Sequence, residues 1–277
     1  MRMKQAPEWN REALLQSPLF GPLHPILADI EVGDFPTLHD CNALLAAQPS
    51  HITVQNGSPL RFVAQQRGKL SFEAQYEPRC YLKGEVPTRA HNWHDLLNAL
   101  VWLTFPKTKA VLNARHYHAL IEETASGNAG RGAVRDVNTL LDESGVIVVY
   151  ADAELAALLR NFKWQELFWH RREQVRAGMG FYLFGHGLYK KALQPYVGMT
   201  GQGLVLAVEQ DFFSWPPTQQ LMHLDNLLAD YLAAPEHCRS TRDLSPVPLL
   251  GVPGWAADNG SAAYYDNTAY FRPGRRR

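Results

Sequence analysis

Cysteine is scarce. The 277 residues contain three, Cys41, Cys80 and Cys238, far apart and never in a C-x-x-C pair. That excludes a disulfide framework and a thiolate zinc site, and it points to a reducing compartment, the cytoplasm. Net charge is lacking too: 27 Lys+Arg balance 27 Asp+Glu. No global field therefore draws the chain to nucleic acid or an acidic membrane. The one basic run, Arg272 to Arg277, reads as a solvated end. Long apolar runs are missing. No stretch reaches the roughly 18 residues of a membrane span, and the N-terminus has no signal-peptide core. The chain has no G-x-x-x-x-G-K-[ST], no G-x-S-x-G and no H-E-x-x-H. A phosphate-binding loop, a nucleophile elbow and a helical zinc-protease motif are thereby excluded.

What is present describes an ordered globular protein: 46% hydrophobic and 19% charged residues, enough to bury a large core. The expected division is a lead-in at 1–20, one domain at 21–273 and a basic tail at 274–277. Thr37 and Asp40 predict a capped short helix. Residues 50–85, with Asn56-Gly57 as turn chemistry, read as short antiparallel strands that include Leu70 to Leu82. Asn92 caps a helix to Phe105, with the stripe Trp93, Leu96, Leu97, Leu100 and Val101 inward. A second helix follows from about Lys107 to Ala125, closed by a glycine-rich mobile loop, 126–132. Asn138 to Tyr150 reads as a hairpin turning at Asp142-Glu-Ser-Gly145. Asp152 caps one long helix to about Arg176. A strand over Phe181 to Gly187 turning into a short helix at 188–193, a strand at 203–208 and a helix at 217–232 come next. From Pro235 the apolar residues show no helical period, which predicts an extended surface segment.

Several of these stretches resemble one family. They are Glu77-Pro-Arg-Cys-Tyr81, Gly84-Glu-Val-Pro-Thr-Arg89 and Asn92-Trp-His-Asp-Leu-Leu-Asn98 through Pro106, with Leu141-Asp-Glu-Ser-Gly-Val146, Phe184-Gly-His186 and Pro248 to Trp255. Together they are similar to a bacterial family of unknown function, domain-of-unknown-function family 3025, from about residue 20 to Pro273. The resemblance implies a single bacterial, cytoplasmic family domain and no activity.

The densest chemistry lies between Val86 and Asn98. His94 and Asn98 share one helix face at i,i+4, and Asn113 and His116 do so at i,i+3 on the next helix. An antiparallel pair of helices would bring the four to one crevice. A divalent metal there would also want a carboxylate, from Asp95 or Asp136. The plainer reading is ordinary interhelical hydrogen bonding. Asp95, three after Asn92, is also where a cap needs a carboxylate. Arg79 and Arg89 suit an anion clamp, or else pair with Glu77, Glu85 or Asp136. Arg135 and Asp136 read equally as an ion pair or as site residues. Asp142-Glu143 invites a catalytic acid pair, but a turn explains it more cheaply. His186, between glycines at a strand-to-helix junction, is a further site candidate.

The expected fold is α+β: one domain with a mixed, mainly antiparallel sheet and packed helices. The expected function is a hydrolase-like enzyme acting on a small anionic substrate. His94, Asp95 and His116 would be catalytic, and Arg79, Arg89, Asn98, Asn113, Asp136 and His186 would bind substrate. The alternative is a non-catalytic binding or scaffold protein whose polar cluster is structural. Oligomeric state, substrate and process stay open.

Overall fold

A computed structural model describes residues 7–31, 33–126 and 132–274. Most of the glycine-rich loop and of the basic tail lies outside these described residues. Two short helices, α1 (Arg11–Gln16) and α2 (His24–Ala28), precede α3 (Leu38–Ala46). α3 starts on the expected reciprocal cap: Thr37 accepts from the Asp40 amide, and Asp40 accepts from the Thr37 amide.

The next stretch differs from the sequence reading. Among the described residues before residue 76, β1 (Arg61–Ala64) and an isolated Thr53–Pro59 bridge supply the strand pairing present. Leu70 to Leu82 is no strand. Its second half is a helix, α4 (Tyr76–Lys83), with Pro78 in its first turn and Gly84 ending it at φ 67°. Proline is tolerated in a first turn, and glycine takes the left-handed position past a helix end. Gly84 also has no alternative, since a Cβ there would sit 2.1 Å from the Pro59 carbonyl oxygen. β2 (Glu85–Thr88) then pairs with β1 in parallel.

Asn92 caps α5 (Trp93–Thr104) as expected, accepting from the Asp95 amide. Pro106 opens α6 (Pro106–Ser126), whose first free amides, those of Lys107 and Thr108, donate to the buried Asp225 carboxylate. A cap supplied from elsewhere in the chain satisfies the orphan donors of a helix start.

The expected hairpin at 138–150 does not exist. Ala133–Ser144 is a helix, α7, that runs without a loop into β3 (Gly145–Tyr150). Gly145 is not left-handed: its φ is −66°. Glycine is required because a Cβ would meet the Leu141 carbonyl oxygen at 2.2 Å. The long helix expected after Asp152 is also broken. It divides into α8 (Ala153–Arg160), a π turn at Glu166–His170 and α9 (Arg172–Gly178), with Phe162 at φ 58° between them.

β4 (Met179–Leu183), α10 (His186–Ala192), β5 (Thr200–Ala207), α11 (Pro217–Ala233) and β6 (Ser245–Pro248) complete the regular elements. The main sheet has the order β4-β3-β5-β6. β3 is antiparallel to β4 and parallel to β5, and β6 closes the edge antiparallel to β5. The segment after Pro235 thus contributes an edge strand and then a series of 3₁₀ turns. The fold is α+β, one compact unit with a mixed sheet. Val146 to Val149 of β3 are fully buried at its centre. α5 packs on α6 and α10, and α6 on α4, α7 and α11. Among the described residues no helix is long and apolar enough to cross a membrane.

Candidate metal centre

One topological fact places the site. β3 is entered from α7 at the end of the sheet where antiparallel β4 leaves for α10. The amides of Phe184 and Gly185 both donate to the Gly145 carbonyl, at 3.0 and 2.9 Å. The C-terminus of α7 and the N-terminus of α10 are therefore held side by side. The glycines around His186 permit this. A Cβ on Gly185 would lie 2.5 Å from the amide nitrogens of Ser144 and Gly145, and one on Gly187 would lie 2.9 Å from the Glu143 carbonyl oxygen. The N-terminal turn of α5 faces the same point.

His94, Glu143 and His186 meet there. His94 Nε2 lies 3.3 Å from Glu143 Oε1, and His186 Nε2 lies 3.5 Å from the same oxygen. The two rings are edge to face at 4.4 Å. One ligand atom from each of the three residues falls within 4.8 Å of the others. A tetrahedral cation with bonds of about 2.0–2.1 Å wants ligand atoms about 3.3–3.4 Å apart. Both histidine-to-glutamate spacings fall close to that edge length.

Each imidazole also has a carboxylate behind it. Asp95 Oδ1 is 3.3 Å from His94 Nδ1, and Asp142 Oδ2 is 3.7 Å from His186 Nδ1. Carboxylates in this position fix the tautomer and orientation of metal-binding histidines. His186 is buried and its Nδ1 has no hydrogen bond. Asp142, 3.7 Å from that nitrogen, is held in place itself by Lys109 Nζ.

The charges respond to one another. His94 is pushed up to about 9, first by the hydrogen bond to Asp95 and then by Glu143, against the opposing effect of burial. The bonds to His186 and His94 hold Glu143 well below the usual carboxylate range. Burial pushes Asp95 up, but Arg89 and His94 overcome it and hold that carboxyl well down. For Asp142, burial is outweighed by the charges of Lys109 and His186. Asp142 and Glu143 lie in the last turn of α7, where the helix dipole disfavours anions. Compensating positive charge is therefore needed at this point.

The triad lies in the wall of a cavity of about 340 Å³, shared with Tyr76, Glu77, Arg89, Asp95, Asn98, His116 and Asp142. Of the residues expected from the sequence, His94, Asp95, His116, Arg89, Asn98 and His186 are brought to this one cavity. Asp95 does not reach back to the Asn92 amide as a capping carboxylate would. It accepts from the Arg89 amide and guanidinium at 2.7–2.8 Å instead. Asn98 is engaged by Tyr76 and Lys109. Three expected residues are not in the cavity wall. Arg79 is half of a 2.5 Å ion pair with Glu85. Asn113 is one layer behind, bonded to Glu77. Asp136 sits in the first turn of α7, at the helix end away from the triad. Arg135 pairs with Glu123. Both expected anion clamps, Arg79 and Arg89, are thus committed to carboxylates.

The sequence reading missed the carboxylate that completes the triad. The hairpin composition of Asp-Glu-Ser-Gly places Glu143 in a turn, whereas the structure has it in the last turn of α7. The signal that could have found it was the helical spacing of Val137 and Leu141, both fully buried, which puts Asp142 and Glu143 at a helix end. The three cysteines are free and buried, and none belongs to the triad.

No curated protein and no solved structure matches the chain. A family described as "Protein of unknown function (DUF3025)" matches residues 60–275, a range that holds the whole triad and begins later than the motifs suggested. Most of the chain lies within that match, and the protein belongs to this family.

Proposed function

We propose that the protein is a metal-dependent hydrolase acting on a small substrate in the 340 Å³ cavity. The observation that carries this reading is the convergence of His94 Nε2, His186 Nε2 and Glu143 Oε1, each imidazole backed by a carboxylate. Two histidines and one glutamate are a donor set suited to zinc, with a position left open for substrate or water. A divalent cation held there supplies a Lewis acid that polarises a carbonyl or phosphoryl oxygen and makes water acidic. Glu143 and the two imidazoles bind the cation, and Asp95 and Asp142 orient the imidazoles. His116 is buried, lines the same cavity and has no hydrogen-bond partner among the described residues. Buried polar groups are normally satisfied. We assign His116 the transfer of a proton to the leaving group. The three unpaired cysteines suit a reducing compartment, the cytoplasm.

The test is a panel of small esters, amides and phosphoesters, each assayed with zinc-loaded and chelator-treated protein. The proposal predicts turnover that a chelator abolishes and zinc restores. It predicts that His116→Gln lowers kcat by about 10²–10⁴-fold, the worth of a positioned proton donor, with zinc content unchanged. The scaffold alternative makes the opposite prediction: His94→Ala and His186→Ala lower stability, and no cation or turnover is found in any form.

A further inference from the structure

The cavity wall holds a further charged group. Glu77, in the first turn of α4, lines the same cavity as His116 and Tyr76. Its carboxylate is fixed, because Asn113 Nδ2 donates to Oε2 at 2.6 Å and to the Glu77 main-chain oxygen at 3.1 Å. Asn113 is buried, so this carboxylate is held from behind and cannot readily swing away. Yet among the described residues no Lys, Arg or His reaches Glu77 within ion-pair distance.

The other charges around the cavity are accounted for one by one. Arg89 cancels Asp95, and Lys109 cancels Asp142. Glu143 cancels one of the two charges of a cation held by the triad. The triad is then left with one net positive charge, and Glu77 is left as one net negative charge in the wall of the same cavity. The guanidiniums of Arg79 and Arg115 are engaged elsewhere, Arg79 by Glu85 and Arg115 by the backbone carbonyls of Leu232, His237 and Cys238. His116 faces the cavity but forms no ion pair there among the described residues.

A fixed carboxylate in a confined cavity favours a cationic hydrogen-bond donor, because a charge-assisted bond is about twice as strong as a neutral one. We infer that Glu77, held by Asn113, is the subsite for a protonated amine or amidinium. The substrate of the metal-assisted reaction is accordingly a dipolar small molecule. It presents an oxygen to the cation and a cationic nitrogen to Glu77. Tyr76 flanks this subsite. Burial pushes its hydroxyl well above the usual phenol range, so it stays protonated. It already accepts from Asn98 at 2.7 Å, which leaves its own proton to donate. This inference rests on the metal-dependent reading and specifies the substrate that such a site selects.

The test uses two series of zinc-binding probes with the zinc-loaded protein, measured by calorimetry. One is a set of ω-amino hydroxamates of increasing chain length, and the other is the matching alkyl hydroxamates, in which a methyl group replaces the ammonium. The expected result is that the best-fitting amino hydroxamate binds at least about tenfold tighter than its alkyl partner. Glu77→Gln keeps an oxygen for Asn113 and removes only the charge. It should abolish the amino preference with zinc content unchanged. Equal or tighter binding of the alkyl probes at every length overturns the inference, as does an amino preference that survives Glu77→Gln. Failure of the underlying metal reading looks different: zinc is not taken up and neither series binds, which overturns both.

Discussion

At the scale of the residue, the centre is a set of groups that need one another. His94 carries a folded-state pKa of about 9, above its ordinary value of 6.5, because Asp95 and Glu143 favour its charged form. A group whose pKa is raised on folding stabilises the fold fully below its unfolded pKa and loses that contribution as pH rises through the folded one. The melting temperature of metal-stripped protein should therefore fall between pH 6.5 and pH 9, and the fall should flatten in His94→Gln. A flat wild-type profile over that range would contradict the pairing. Lys109 and Asp142 form an ion pair with the lysine almost wholly buried, and Lys109 also faces the Trp102 ring at 5.5 Å. Removing one partner of a buried pair leaves an uncompensated charge and costs about 3–5 kcal/mol. Lys109→Met should be destabilised by that amount in urea unfolding. The double variant Lys109→Met/Asp142→Leu should recover much of it, because two apolar groups leave no charge behind. Asp142→Asn should instead act on the cation, weakening zinc by about 10–100-fold, as loss of a carboxylate behind a ligating histidine does.

At the scale of the element, the junctions place the triad. α7 enters β3 with no intervening loop, and β4 leaves for α10 beside it, so that Glu143 and His186 emerge together. Gly185 and Gly187 make the approach close enough. Gly185→Ala places a Cβ against three backbone atoms of Glu143, Ser144 and Gly145 at 2.5–2.6 Å, so it should cost about 1–3 kcal/mol by overpacking and displace His186. Gly187→Ala meets the Glu143 carboxylate at 2.1 Å and its carbonyl oxygen at 2.9 Å. It should weaken zinc binding more than it weakens the fold, a split that calorimetry and urea melts on the same variant would read. The same junction explains what the sequence could and could not reveal. Local grammar was readable where it acts locally: the Thr37–Asp40 cap, the Asn92 cap and the buried stripe of α5 all follow from residues within one turn. His186 between its glycines was also recognisable as a strand-to-helix junction. The α7–β3 boundary was not, because Asp-Glu-Ser-Gly has the composition of a tight turn. Only the packing of Gly145 against Leu141 shows that the glycine answers to a steric demand at a helix end. α4 was misread for a similar reason: Tyr76 and its neighbours alternate like a strand, while Pro78 and Gly84 mark a helix at both ends.

At the scale of the whole molecule, the three residues of the candidate centre come from α5, α7 and α10, elements far apart in sequence, with α10 packed on both α5 and α7. A cation there would tie the elements around the sheet end together, and none of this convergence is visible in spacing alone. A ligand that binds only the folded state stabilises it by mass action, about 2.7 kcal/mol at a hundredfold excess over Kd. Zinc should therefore raise the melting temperature, and a chelator should lower it again. The most direct measurement is calorimetric titration of chelator-treated protein with zinc, run in parallel on wild type, His94→Ala, Glu143→Gln and His186→Ala. The account predicts one equivalent of zinc per chain in wild type and loss of that binding in each variant. Absence of binding in wild type, or the same binding in all four proteins, would contradict it.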